Sequence, residues 1–339
     1  MDKREEKSLI ENNVLIFNNL NYIKPIENKR NYGIDIFKIL STINVIILHI
    51  NKHSDLIFLP PKSSKYRIIW NLEISAYWAV NGFGLISGFI NYKKYKFSNL
   101  FYIWIEVLFY SVSISFILFM KKEISLNQLL ISFFPLLIKR HWYINAYFSM
   151  YLFLPFIIEG IKNIKKNIFR NTYFGKNVIN IENKEKFIYY IFWILIYIFL
   201  SIFTLIIFLK KNILNSLSNN LFVDYISPTI LLQAISLLMF FSKFKIQKNL
   251  TKKIISFFSS LNFSAILIHG RLFQTKNIVT KTFFNLVRNL NEDYLFIKIY
   301  SMAIFIYILC IFIDYFRFLL FKLLKIRYFC QLIEKKFEF

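Results

Sequence analysis

Two side chains in one apolar run, Lys38 and His49, are the residues of this chain best suited to chemistry. On an α-helix, at about 100° per residue, they differ by only about 20° and stand about 16 Å apart along the axis. Asp35 and Thr42 fall on the same side, so the four form one polar stripe. An ionisable group in hydrocarbon costs at least about 2.5–3.5 kcal/mol, so this stripe must face a protein-lined or wet interior. A neutral imidazole is matched to proton transfer near pH 7, and an ammonium can meet a phosphate or a carbonyl. A base and a cation on one buried face suit an enzyme or a transporter.

A second run, Ser256 to His269, puts Ser259, Asn262 and His269 on one helical side. Two histidines at similar depth could then serve one polar cavity. Glu106, and Asp314 with Arg317 one turn on, are costly inside a membrane and read as paired structural charges. Asn81 stands beside Gly84 and Gly88, which lie one turn apart; that spacing predicts a close helix contact with a hydrogen bond across it. Ser87 lies in the same stretch, but no base adjoins it in sequence, so nothing local makes it a nucleophile. Trp142, Tyr143 and Tyr147, with Asn145 among them, suit an interfacial aromatic belt. Cys310 and Cys330 make neither a disulfide framework nor a metal-ligand spacing. No metal site, phosphate loop or Ser-His-Asp order is present as a motif, and no bound cofactor is expected.

These residues sit in a chain of 339 residues that is 56% hydrophobic and 20% aromatic, with a mean hydropathy of +0.47. Long apolar runs recur near 34–50, 72–92, 99–120, 142–160, 187–209, 223–242, 254–270 and 294–321. The expected fold is therefore all-α, a polytopic transmembrane bundle of about eight spans, or nine or ten on a fuller count. A shorter run at 126–138 is expected to be a re-entrant or buried half-helix. The net charge of +24 is spread over every loop, as in cytoplasmic loops of membrane proteins, and argues against nucleic acid as a partner. With eight spans and the N-terminus inside, inside segments carry about twice the Lys and Arg of outside ones. Both termini are then cytosolic, with Lys38 toward the cytosol and His49 toward the outer face of the cell membrane. The charged start, Met1 to Lys7, lacks the apolar core of a removable signal, so the first span is expected to anchor the chain uncleaved. Three segments follow: a polar N-terminal cytosolic piece (1–33), an integral membrane domain (34–321) and a basic cytosolic tail (322–339). Segment 160–186 is the longest polar interruption, a solvated connector or a docking loop.

The run Gly33 to Leu40, closed by His49, resembles the opening span of acyltransferase family three, whose signature is a basic residue and, after ten intervening positions, a histidine. Phe83 to Phe89 resembles a second signature of that family, and Trp142 to Tyr147 with Tyr151 to Phe156 a third. Tyr225 to Pro228, the Ser-rich run ending at His269, and Ile313 to Arg317 look like its C-terminal half. The likeness touches most of residues 31–320. It lapses between about 165 and 220, and Asn99 to Trp104 stands where the family tends to carry arginine. The resemblance implies transfer of an acyl group, typically acetyl from acetyl-CoA as cosubstrate, to a hydroxyl of a surface polysaccharide or lipid-linked sugar. His49 would then be the base or a transient acyl carrier, with His269 a second catalytic candidate. Lys38 would meet the donor and Asp35 orient it. Asn81, Ser87, Trp142, Asn145 and Asn262 are candidates for the acceptor or the cavity wall. The rivals are a glycolipid or sugar carrier (a flippase) working without chemistry, and an inactive relative.

Overall fold

A computed structural model describes residues 30–91, 96–136, 143–153, 156, 183–214, 223–274 and 278–336, and among these the regular structure is helical throughout. The first helix, α1 (Tyr32–His53), begins where Asn31 accepts hydrogen bonds from the amides of Gly33 and Ile34 at 3.0 and 3.3 Å. The same Asn31 donates through Nδ2 to the carbonyl of Ser242 at 2.7 Å, so the cap also fixes the helix against its neighbour. An Asp in the first turn and basic residues in the last complement the helix dipole. No Pro and no Gly lies between Gly33 and His53, so α1 has no sequence reason to bend.

After a 3₁₀ turn at Leu56–Phe58, α2 (Ser64–Ala76) and α3 (Trp78–Asn91) follow with a junction at Tyr77. The run expected to span at 72–92 is therefore not one helix; its first residues belong to an amphipathic helix that packs on α1. Next come α4 (Phe97–Met120), α5 (Leu126–Ile131), α6 (residues 143–153) and α7 (Asn183–Leu214). The last five are α8 (Pro228–Lys243), α9 (Asn249–Gln274), α10 (Ile278–Arg288), α11 (Leu295–Leu323) and α12 (Ile326–Lys336).

Five of these, within α1, α4, α7, α9 and α11, are long and apolar enough to cross a membrane; α8 is apolar but shorter. The chain is thus a helical, multi-pass membrane protein by architecture. Burial ranks the spans: 67% of the α1 window is buried inside the protein, against 11% for α7. A helix apolar all round and mostly uncovered faces lipid, as the exposed Ile188, Leu195 and Phe199 of α7 do. A helix covered on most sides is the bundle's axis, and α1 has α2, α3, α8, α9 and α11 around it.

Close approach of backbones occurs at different glycines from those the spacing singles out. Among the described residues, a Cβ at Gly84 or Gly88 would meet nothing within 4 Å, so no close contact is seen there. The tight ones are Gly82, against Ser41 Oγ and the Phe37 ring, and Gly33, whose added Cβ would run into the Phe241 carbonyl oxygen. The half-helix expected at 126–138 is the six-residue α5, opened by a capping box between Ser125 and Gln128. It is not buried: none of its residues is, and Phe133 and Phe134 just beyond are exposed. Within the basic tail, Ile326–Lys336 is a helix packed on α4 with Cys330 buried beneath it. Segment 160–186, up to residue 182, and residues 1–29 lie outside the described residues.

Candidate active site

Helices α1 and α9 hold the site because they run side by side in the same direction. Three contacts share nearly one offset: Lys38 Nζ donates to the Ser259 carbonyl (3.0 Å), Asn262 Nδ2 donates to Thr42 Oγ1 (2.5 Å), and His269 Nε2 meets His49 Nδ1 (3.1 Å). The sequence separations are 221, 220 and 220, so the two helices stay in step over three turns. The stripes read separately on each helix therefore face each other and merge.

At the Lys38 end, Asp35 accepts from Arg30 Nε and from Ser259 Oγ, both at 2.6 Å. Asp35 thus reaches Lys38 through Ser259, whose hydroxyl goes to the carboxylate and whose carbonyl takes the ammonium. Midway, Asn262 is saturated: its Nδ2 also donates to the Lys38 carbonyl at 3.2 Å, and its Oδ1 accepts from Tyr307 at 3.1 Å. It braces α1 against α9 and α11, and its amide is committed to protein rather than free for an acceptor. At the other end the two imidazoles have ring centroids 5.0 Å apart. His269 has no solvent exposure, whereas His49 keeps some. His53, one turn on, stacks on Phe284 and closes that side.

A cavity of about 340 Å³ opens beside Lys38, at the lower end of the about 300–1,000 Å³ usual for ligand pockets. Ser87, Glu106, Tyr147, Tyr151 and Arg327 share its wall with Lys38. Tyr143, Tyr147 and Tyr151 recur every four residues along α6, and all three line it. That stripe is the sequence signal a reading of Trp142, Tyr143 and Tyr147 as a boundary belt passes over. Arg327 comes from the C-terminal helix and lies 5.9 Å from the Tyr102 ring centre, placing a second cation on the cavity. His49 is not among the residues that line this space.

The remaining candidates are placed elsewhere or are occupied. Asn81 Nδ2 donates to the Tyr225 carbonyl at 2.8 Å and so fastens α3 to the segment leading into α8. Ser87 Oγ donates to the Phe83 carbonyl in its own helix at 2.8 Å. Asn145 Oδ1 is buried and has no hydrogen-bond partner among the described residues. Trp142 lies outside the described residues.

Glu106 faces the cavity beside Lys38 and is also part of a buried ionic cluster. Arg317 meets Glu106 at 3.2 Å and grips both oxygens of Asp314 at 2.7 and 2.8 Å. Tyr110 donates to Asp314 at 2.5 Å and Arg317 donates to Tyr102 at 3.1 Å. Among the described residues, no group of three or more His, Cys, Asp or Glu is placed to hold a metal ion.

Comparison of the chain with family models, with curated proteins and with solved structures returns no match.

Proposed function

We propose that this chain is a membrane-bound O-acyltransferase that moves an acyl group, acetyl in the first instance, from acyl-CoA to a hydroxyl of a surface polysaccharide or lipid-linked sugar. The observation that carries the reading is the merged stripe: an ammonium on a cavity at one end, and about three turns on, an imidazole paired with a second imidazole. The likeness of Lys38, His49 and the later motifs to acyltransferase family three supports the same reading.

The chemistry asks little of the protein beyond what the stripe supplies. The acceptor hydroxyl loses its proton to His49 as its oxygen attacks the thioester carbonyl. The new C–O bond forms, the C–S bond breaks, and His49 returns the proton to the departing thiolate. Lys38 contributes positive charge to the donor. On this reading the cavity takes the donor's arm, and the thioester reaches past Lys38 toward His49. The test is ester-linked acyl content of surface glycans, read by NMR in cells with and without the gene. Esters that vanish with the gene support transfer. Equal ester content in both overturns it, and glycolipid movement that survives His49→Ala marks a carrier instead.

The proposed topology has eight crossings, adding α3, α6 and α8 to the five long spans, with both termini and the Lys38 end in the cytosol. The inside excess of Lys and Arg supports it. On a background with Cys310 and Cys330 replaced, an impermeant thiol reagent applied to intact cells should label Lys62→Cys, an exposed position past α1. It should miss Gly175→Cys. Strong external labelling at position 175 rejects this topology.

A further inference from the structure

We infer that His269 is a positioning residue that holds His49 in the Nδ1–H tautomer and so makes Nε2 of His49 the proton-accepting nitrogen. One chain of hydrogen bonds fixes the proton positions. His269 Nδ1 lies against the carbonyl oxygen of Ala265, one turn earlier in α9. A carbonyl only accepts, so Nδ1 of His269 carries the ring's proton. A neutral imidazole has one proton, which leaves Nε2 of His269 as a lone pair. That lone pair faces Nδ1 of His49 at 3.1 Å, so Nδ1 of His49 must donate. The remaining nitrogen of His49, Nε2, is then unprotonated.

The surroundings favour this assignment. His269 is fully buried, and among the described residues its ring meets His49, Ala265 and Phe273 and no carboxylate. His49 is the more exposed residue of the two, and Nε2 is its nitrogen that is not engaged with His269. The role rests on the reading of His49 as the base. When Nε2 of His49 takes the hydroxyl proton, the imidazolium still donates through Nδ1 to His269. No proton passes to His269, whose own N–H stays on Ala265. The arrangement orients the base as the carboxylate does in a serine-protease triad, but with a neutral partner.

The full chain has four histidines, so ring-¹⁵N labelling gives few signals to resolve. In nanodiscs, with the His49 signals assigned by their loss in His49→Gln, the expected pattern is a protonated Nδ1 and a bare Nε2. His269→Gln keeps an acceptor oxygen and should preserve that pattern and most of the transfer rate. His269→Leu removes the acceptor, so His49 should spread over both tautomers. Its kcat should fall at least about tenfold with KM unchanged; for scale, the wrong tautomer in the serine-protease triad costs about 10⁴-fold. The decisive reading is made on the unmodified chain, with His49→Gln used only to assign its signals. A proton on Nε2 of His49 overturns the inference. The predicted pattern without any acyl transfer removes the enzymatic reading instead and leaves the tautomer assignment standing.

Discussion

His49→Gln is expected to lower acyl transfer by at least about 10²-fold, the lower bound of what a positioned base contributes. Glutamine is the sharper replacement because it retains size and a polar end, so α1 should insert and pack as before. Its amide can even accept or donate toward His269, but it cannot take a proton from a hydroxyl. Assay in membranes matched for protein amount separates lost chemistry from lost protein. Near-normal transfer by His49→Gln would falsify the role of His49 as base. His269 would then be the next ring to test.

The largest expected effect on stability is at Arg317. Arg317 is 4% exposed, and its guanidinium ties Glu106 of α4 to Asp314 of α11 and Ser264 of α9, while lying over the Phe321 ring at 5.0 Å. Arg317→Met leaves two buried carboxylates facing each other without their cation. Removing one partner of a buried pair costs about 3–5 kcal/mol, because the remaining charge is uncompensated. The thermal midpoint of the solubilised protein should fall and membrane abundance should drop. A triple change, Glu106→Gln, Asp314→Asn and Arg317→Met, removes the charges together and should recover part of the loss. An unchanged midpoint in Arg317→Met would show that the cluster carries no stability.

What could be read beforehand is whatever one helix decides alone. Asp35, Lys38, Thr42 and His49 share a face because of the 3.6-residue period, and Asp314 meets Arg317 because they are three apart on one helix. Residue type then says such faces turn inward. What one helix cannot decide is its partner. That Ser259 would stand between Asp35 and Lys38, or that His269 would meet His49, depends on α1 and α9 packing in parallel across more than two hundred residues. Arg327 was hidden for the same reason: in sequence it belongs to a basic tail, and only the packing of α12 on α4 brings it to the cavity. The glycines failed differently. Gly84 and Gly88 have the spacing of a contact, but no described residue comes within 4 Å of a Cβ at either, whereas Gly82, two residues earlier, meets Ser41.

The uninterrupted α1 has one more consequence. With no Gly or Pro between Lys38 and His49, the stretch between them acts as a stiff gauge about 16 Å long. On the proposed function, a donor held at Lys38 must span that distance to bring its thioester to His49. A ligand with too short an arm falls shy of His49, and the helix has no joint with which to meet it halfway. Under that proposal, selection among donors would be a matter of length as much as of chemistry, set by the eleven-residue step from one side chain to the other.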